Sequence, residues 1–251
     1  MSRVQSIERA FAVLSALGDG PSGVTTIAGR AQLPKSTVVR LLRALQAEDA
    51  VEQSPIDGRY RLGPRVVTLA AGLAASPSLL AIARPYLASL AAETGEAAGL
   101  SIPDGRDVHY VEQVDSLNPV SIRDWTGTRV PMHAVSSGQV FLAHASSSVV
   151  EAYLGGGLAR LTPRTLTDPD TLRERLRAVQ LAGYAWVHDE FAEGISSVAS
   201  GIADGSGEVV AALHVHGPSY RFPPPGRDAD VGRLVATTAA RIARTLRQAA
   251  G

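Results

Sequence analysis

A proline-started helix followed closely by an Asp-Gly turn constrains the fold of this chain more than any other feature. Leu33-Pro34 breaks the chain after a short helix predicted over residues 26–31, and proline favours the first position of a new helix, predicted over residues 34–48. Asp57-Gly58 then predicts a β-hairpin, because both residue types tolerate the backbone of tight hairpin turns. Two short helices and a hairpin in this order are typical of a winged helix-turn-helix.

An amphipathic helix comes before these elements. From Ser6 onward, apolar residues recur at helical spacing and predict one buried stripe, made of Ile7, Ala10, Phe11, Leu14 and Leu17. Glycines and a proline over residues 18–23 end this helix. The hydroxyl of Thr25 is predicted to cap the short second helix.

The third helix has a polar face that suits DNA. Its predicted core stripe consists of Val38, Leu41, Leu42 and Leu45, and its opposite face carries Lys35, Ser36, Thr37, Arg40 and Arg43. Hydroxyls at a helix N-terminus bind phosphate, and arginine can contact a guanine edge in the major groove. We expect Ser36, Thr37 and Arg40 near bases. Lys35 and Arg43 are expected near phosphates.

The hairpin is predicted to be a basic wing. Its returning strand, over residues 59–62, places Arg59 and Arg61 on one face, so we expect both to lie near phosphate or in the adjacent minor groove. The alternative is a helical module that docks a protein. Salt dependence of promoter binding separates the two, because neutralising phosphates releases counterions.

Charge and cysteine content bound the function further. The 251 residues contain 24 basic and 24 acidic side chains, but residues 1–75 hold nine basic and six acidic ones, a charge of +3. The rest of the chain carries −3, so a DNA-reading head stays compatible with zero net charge. The chain contains no cysteine, which excludes disulfides, thiolate metal sites and cysteine nucleophiles.

The sequence predicts three regions: a DNA-binding domain over residues 1–63, a linker helix over residues 64–76 and a ligand-binding domain over residues 77–251. The Ala-rich linker helix either packs on its own domain or forms a dimer seam that spaces two reading heads. Membrane-length apolar runs and a secretory signal are absent from the sequence, so we expect a cytoplasmic protein.

Short strands and helices alternate in the third region, which predicts an α+β domain on a mainly antiparallel sheet. A helix over residues 76–94 contains Pro85 and ends at Gly95. The predicted strands cover residues 97–102, 107–114, 120–123, 184–188, 195–203 and 208–216. The further predicted helices cover residues 137–145, 148–154, 168–182 and 228–249.

His214 and His216 lie two apart in the last strand and therefore share a face. Val210 and Ala212 are predicted on that face, and the other is predicted to carry Val209, Ala211, Leu213 and Val215. A strand that is apolar on both sides is buried on both. Three interpretations stay open for the pair: satisfied core histidines, polar groups of a small-molecule pocket, or a metal site completed by His188, Asp189 or Glu190.

Sequence signatures of catalysis are missing. The chain has no Gly-x-Ser-x-Gly, His-Glu-x-x-His or Gly-x-x-x-x-Gly-Lys motif. We therefore expect no catalytic residues, no cofactor and no enzymatic activity. A metal-dependent enzyme that uses His214 and His216 is the remote alternative.

Several segments resemble the isocitrate-lyase-regulator (IclR) family of bacterial transcription factors. They are VQSIERA (residues 4–10), LPKSTVVRLL (33–42), YRLG (60–63), RVPMHA (129–134), SGQVFLA (137–143), GYA (183–185), Asp189-Glu190 with Glu193-Gly194, and VAAL (210–213) leading to Gly217-Pro218. The resemblance implies a GAF-like effector-binding domain, operator DNA and a small-molecule effector as partners, and a dimer or dimer of dimers.

Carried over by position, the resemblance implies an effector site formed by Met132, His133, Ser136, Ser137, Gly138, Glu190, Ile195, Ser197, His214 and His216. Several positions depart from the family pattern, among them Ser200-Gly201, near which the family commonly has an Ala-Pro pair. Gln139 stands where lysine is frequent, the two histidines replace small hydroxyl residues, and Val187 occupies a position that can be acidic. The effector of a relative therefore does not transfer directly to this chain.

Overall fold

The computed structural model describes residues 5–18, 20–73, 79–116, 118 and 122–250. The chain divides into two compact units, Met1–Ser76 and Pro77–Gly251. Along the chain, the N-terminal unit contains α1 (Gln5–Ser15), α2 (Val24–Arg30), α3 (Lys35–Ala47), β1 (Val51–Gln53), β2 (Tyr60–Leu62) and α4 (Pro64–Leu73). This order is the predicted winged helix-turn-helix followed by a helix; residues 74–76 of the predicted linker lie outside the described residues.

The core of the N-terminal unit joins the helices to the hairpin, with fully buried side chains from each helix of the motif: Val13, Leu17, Ile27, Val38 and Leu42. The stripe predicted for α1 is partly wrong. Ile7 and Phe11 are 55% and 64% exposed, whereas Val13 is buried. α1 has two apolar faces, and packing against α3 selects the face that carries Val13.

Two local predictions in this unit also change. α2 begins at Val24 after Gly23, with no side-chain cap, so Thr25 lies inside the helix and does not cap it. Ser22 also pairs with the second strand of the hairpin: the backbone groups of Ser22 and Tyr60 exchange hydrogen bonds of 2.9 Å in both directions. This bridge anchors the base of the wing to the segment before α2.

The C-terminal unit contains, in order, α5 (Leu79–Thr94), β3 (Ala97–Asp104), β4 (Asp107–Val114), β5 (Arg129–Pro131), a 3₁₀ turn (Met132–Ala134), α6 (Ser136–His144), α7 (Ser147–Gly155), α8 (Pro169–Ala182), β6 (Ala185–His188), β7 (Ile195–Ala203), β8 (Val209–Pro218) and α9 (Asp228–Ala250). The six-stranded sheet has the order β5-β4-β3-β8-β7-β6, and every neighbouring pair is antiparallel. The predicted α+β class is confirmed.

The sheet is covered on both faces. Apolar residues of α5 and α9 pack on one face, while α6 and α8 cover the other. Both faces of β8 are therefore buried, as its apolar pattern predicts. A register shift between Ile202 and Ala203 turns Val209 toward the α6 side, so its predicted grouping with Ala211 is wrong.

The strand predicted over residues 120–123 is not supported. Residues 120 and 121 lie outside the described residues, and Ile122 and Arg123 belong to no strand. The edge position beside β4 is taken instead by β5, where Val108 pairs with Val130. Among the described residues, no helix is both long and apolar enough to span a membrane.

Candidate nucleic-acid interface and buried polar site

The outer face of α3 carries the predicted DNA-contacting residues. Lys35, Ser36, Arg40 and Arg43 are exposed, and Thr37 is half-buried. On the inner side, Val38 and Leu42 are fully buried and fix the orientation of the helix. Ser36, Arg40 and Arg43 follow one another at spacings of four and three residues and so lie along one exposed face.

The wing carries its two arginines beside carboxylates. Arg61 lies opposite Glu52 in the β1–β2 pair and donates to one carboxylate oxygen of Glu52 at 2.7 and 3.0 Å. Arg59 Nε lies 3.6 Å from Asp57. The hydrogen bond from Ser54 is the largest cause that lowers the pKa of Asp57, so this carboxylate is charged at neutral pH. The wing is thus a balanced set of charges, which the alternation of the strand did not reveal.

The C-terminal unit has a buried polar site on the α6 side of the sheet. His214 and His216 are 2% and 4% exposed, and their rings lie 5.6 Å apart at an angle of 21°. In the sheet register His214 lies between Gly99 and Ala199, and His216 lies between Ala97 and Ser197. The neighbours of both histidines in the sheet are therefore small residues.

Both histidines are neutral at physiological pH. Burial is the main cause that lowers the pKa of His216 to about 4. Burial, and then the charge of His216, hold the pKa of His214 well below its ordinary value. Within the described chain, Nδ1 and Nε2 of His214 and Nε2 of His216 are buried without a hydrogen-bond partner. Such atoms cost free energy unless something else satisfies them.

The start of α6 adds further buried polar atoms: Gln139 Oε1 and Ser137 Oγ have no partner at hydrogen-bond geometry within the described residues, although Ser137 lies near enough to Tyr110 to act on its pKa. Ser136 donates to the hydroxyl of Ser197 over 3.0 Å, which ties the helix start to β7. A side chain on Gly138 would collide with the backbone of Met132, so glycine is required for this close packing.

Tyr110 of β4 completes this group and was not predicted from the sequence. Its ring meets that of His214 edge-on, with 4.9 Å between centroids. Burial raises the pKa of Tyr110 to about 12, so its hydroxyl stays protonated. The signal that could have found it is strand alternation, because Tyr110 shares the α6 face with the buried Val108.

The remaining predicted effector residues lie in different surroundings. His133 is buried with both ring nitrogens occupied, Nδ1 by Tyr153 Oη at 2.9 Å and Nε2 by the carbonyl of Ala159 at 2.9 Å. Burial lowers the pKa of His133. Met132 is buried among apolar residues, and Ile195 is half-buried at the start of β7.

Glu190 is joined to the polar site by Gln139, whose Nε2 donates to Oε2 of Glu190 over 3.3 Å. Its other oxygen accepts from Arg175 at 3.2 Å. Burial raises the pKa of Glu190, and the charge of Arg175 opposes that shift.

A cavity of about 670 Å³ lies elsewhere in this unit, at the turn between β3 and β4 and the ends of α6 and α7. Met132, Phe141 and Tyr153 line it, whereas His214 and His216 do not. The guanidinium of Arg106 lies at this cavity but is already bound to the carbonyls of Tyr153 and Gly157. We therefore place the candidate ligand site at the histidine pair, where buried polar atoms lack partners, and not in this cavity, which is distinguished only by its size.

The described residues around His214 and His216 do not form a set of metal ligands. Among the described residues, no three histidine, aspartate or glutamate side chains are grouped as metal ligands would be. His188, one of the proposed third ligands, instead bonds the hydroxyl of Ser196 at 3.0 Å.

A winged helix-turn-helix with an exposed basic recognition helix, followed by a sheet domain with a buried polar site, defines a DNA-binding regulator with a sensory domain. Family comparison gives the same answer. The IclR helix-turn-helix domain matches residues 6–55, and the C-terminal domain of bacterial transcriptional regulator IclR matches residues 72–244. The chain belongs to the IclR family of transcriptional regulators, which confirms the resemblance seen in its sequence.

Individual relatives cover nearly the whole chain. The HTH-type transcriptional repressor AllR of Escherichia coli (strain K12) is 33% identical over 245 residues, which span 96% of this chain and 90% of AllR. An IclR transcriptional regulator from Silicibacter sp. TM1040 has a TM-score of 0.85 at 27% identity, with 96% of each chain covered. An IclR homolog from Microbacterium hydrocarbonoxydans, complexed with 4-hydroxybenzoate, has a TM-score of 0.75 at 30% identity over 96% of this chain and 99% of that one.

Proposed function

We propose that this regulator is a ligand-responsive repressor whose C-terminal unit binds a small molecule at the His214–His216 pair. The observation that carries the proposal is the group of buried polar atoms without partners at this pair and at the start of α6. Buried polar groups in folded proteins are nearly always hydrogen-bonded, so a ligand that supplies the missing partners would be stabilised there. The assignment as a repressor, and not an activator, is supported by the relative AllR, which is named a transcriptional repressor.

The proposed effector site is centred on Ser137, Ser197, His214 and His216, with Tyr110 and Gln139 added. Neutral imidazoles offer one donor and one acceptor each, and Gln139 Oε1 offers an acceptor. The backbone of Gly138 and the hydroxyl of Ser136 belong to the same helix start. Met132, His133, Glu190 and Ile195 are proposed as its supporting surroundings, because the bonds of His133 and Glu190 are largely taken up within the chain.

The proposed DNA site is the exposed face of α3. Ser36, Thr37 and Arg40 contact base edges in the major groove, and Lys35 and Arg43 contact phosphates. Arg59 and Arg61 of the wing belong to the same interface. The protein binds its operator as a dimer or a dimer of dimers and works in the bacterial cytoplasm, where the chromosome is.

Ligand control follows from linkage between the two sites. An effector shifts the regulator between DNA-bound and released arrangements only by its difference in affinity for the two. No catalytic role is proposed for the histidines: the site has neutral imidazoles but no nucleophile paired with a base. The charge of +3 on the N-terminal residues and the exposed arginines favour DNA over a protein as the partner of the helical unit.

Genomic fragments retained by the purified protein provide the first test. A fluorescently labelled retained fragment is titrated at several salt concentrations, and the association constant is expected to fall steeply with salt. Retention of no fragment, or binding that ignores salt, would overturn the DNA assignment and favour protein docking by the helical unit.

The effector site is tested with a small-molecule library screened by thermal shift and then by release of the labelled fragment. Compounds that stabilise the protein and release DNA are expected to lose both effects in Ser137→Ala and His214→Gln. His109→Gln serves as the matched control, because His109 alternates with Tyr110 along β4 and faces away from the site. Effectors that act equally on all three variants would place the ligand elsewhere.

A further inference from the structure

The tip of the wing presents an apolar surface to solvent. Ile56 is 96% exposed, and Pro55 beside it is also exposed. Apolar side chains stabilise a fold through the surface that they bury, so an isoleucine this exposed contributes almost nothing to the stability of the unit. The tip therefore has a side chain free to be buried by a partner.

The loop that carries Ile56 is held in place by its own hydrogen bonds. The N–H groups of Ile56 and Asp57 lie 3.4 and 3.5 Å from Ser54 Oγ, and that of Gly58 donates to the carbonyl of Ser54 at 3.0 Å. Asp57 Oδ1 accepts from the N–H of Arg59 at 3.1 Å. These backbone donors are used within the loop, so the tip offers apolar side chains to a partner and not amides.

The charges behind the tip are balanced. Arg61 is paired with Glu52 and Arg59 lies beside Asp57, so the four charged side chains of the wing sum to zero. A carboxylate beside each arginine repels the same phosphate that the arginine attracts. Exposed ion pairs are weak in water, but they remove the net positive charge that phosphate binding needs.

We propose that the wing engages DNA through its apolar tip, with Ile56 entering the minor groove beside the α3 half-site. This inference rests on the proposed DNA-binding function and adds the mode of contact of the wing. Apolar side chains of minor-groove-binding proteins pack in this groove and wedge between base steps. The phosphate contacts that make binding salt-dependent then come from Lys35 and Arg43 of α3, which are exposed and form no ion pair with a carboxylate within the described residues.

Salt titrations of four variants on the retained genomic fragment test this assignment. Ile56→Ala is expected to weaken binding about tenfold, the factor that corresponds to losing the burial of part of one aliphatic side chain, with an unchanged salt slope. Lys35→Ala is expected to lower the slope by about one, whereas Arg61→Ala changes it by much less. Leu181→Ala is the matched control, since Leu181 is 91% exposed on α8 in the other unit.

Hydroxyl-radical footprinting adds a readout of the groove itself. The wild-type protein is expected to protect minor-groove sugars beside each half-site, and Ile56→Ala to lose that protection while keeping the contacts of α3. Binding of Ile56→Ala as tight as that of Leu181→Ala would overturn the proposal, as would a loss of one unit of slope in Arg61→Ala. Weakening confined to binding of a second dimer on a longer fragment would instead make Ile56 a protein contact.

The proposed function and the wing inference fail separately. A wild-type protein that retains no fragment contradicts the DNA-binding function itself. Specific wild-type binding that Ile56→Ala leaves intact contradicts only the contact assigned to the tip. The exposure of Ile56 also predicts that its replacement leaves the free energy of unfolding unchanged, so a binding defect would not reflect misfolding.

Discussion

Gly99 on β3 lies directly opposite His214 on β8, and a methyl group on Gly99 would stand 2.5 Å from His214 Nε2. The carbonyl oxygen of Glu112 would be 2.7 Å from the same methyl group. The absence of a side chain on β3 is therefore what admits the imidazole to the buried face of the sheet.

Gly99→Ala is expected to lower the free energy of unfolding of the C-terminal unit by about 1 to 3 kcal/mol, because the new methyl group overpacks a buried site. Denaturant titration followed by tryptophan fluorescence measures it, since Trp125 and Trp186 both lie in this unit. Adding His214→Ser to Gly99→Ala should recover the share of the lost stability that comes from the clash with the imidazole ring. The share that comes from the clash with the carbonyl oxygen of Glu112 should remain. Gly155→Ala, which meets nothing within 4 Å, is the control; equal losses in the two alanine variants would contradict the expectation.

Acid is expected to destabilise the C-terminal unit through its buried histidines. The pKa of His216 is about 4 in the folded chain against an ordinary 6.5, so the unfolded chain binds more protons between these values. The contribution of His216 to the free energy of unfolding is then constant above about pH 6.5. It falls as pH drops toward 4, by up to about 1.4 kcal/mol per pH unit. The lowered pKa of His214 acts in the same direction.

His216→Gln isolates that contribution. Its free energy of unfolding is expected to fall less steeply than that of the wild type between pH 6.5 and about 4.5, and in parallel with it above pH 7. Urea titrations at a series of pH values give both slopes. Identical slopes below pH 6.5 would show that His216 is not the buried neutral group described above.

Arg40→Ala is expected to weaken binding to the cognate fragment by about 1 to 3 kcal/mol and to relax base preference. Arg43→Ala, one turn further along the same face, should weaken cognate and random duplexes alike, because phosphate contacts carry no sequence information. Anisotropy titrations with both duplexes at one salt concentration separate the two patterns. Equal losses for Arg40→Ala on both duplexes would remove its base-reading role.

Tyr153→Phe is expected to destabilise the C-terminal unit by about 1 to 3 kcal/mol without touching the polar site at His214. The hydroxyl of Tyr153 accepts from the backbone N–H of His133 at 3.1 Å and bonds its Nδ1 at 2.9 Å, and both groups would be left buried and unpaired. Tyr220→Phe, at a residue 76% exposed, is the matched control for denaturant titration. A loss of effector binding in Tyr153→Phe with unchanged stability would instead place His133 at the ligand.

Local signals in the sequence predicted much of the C-terminal fold. β7 begins and ends at the predicted residues, α8 ends at the predicted Gly183, and the β3–β4 hairpin turns at Asp104-Gly105. Each depends on neighbouring residues: alternation along the strand for β7, a glycine in the left-handed region at the end of α8, and an Asp-Gly pair at the hairpin turn. The class of the chain followed in the same way, because the motifs of the N-terminal unit and of the resembled family are contiguous segments.

What the tertiary structure decided depends on residues far apart in the chain. The pairing of Gly99 with His214, the edge-on contact of Tyr110 and the burial of Val13 in place of Phe11 follow from which elements pack together. Strand register sets Glu52 opposite Arg61 in the wing. The bonds of His133 to Tyr153 and Ala159 depend on how the intervening segments pack. The sequence by itself determined that a DNA-reading head precedes a sensory domain, whereas packing and strand register decided which polar atoms are left for a ligand, because those are contacts between distant segments.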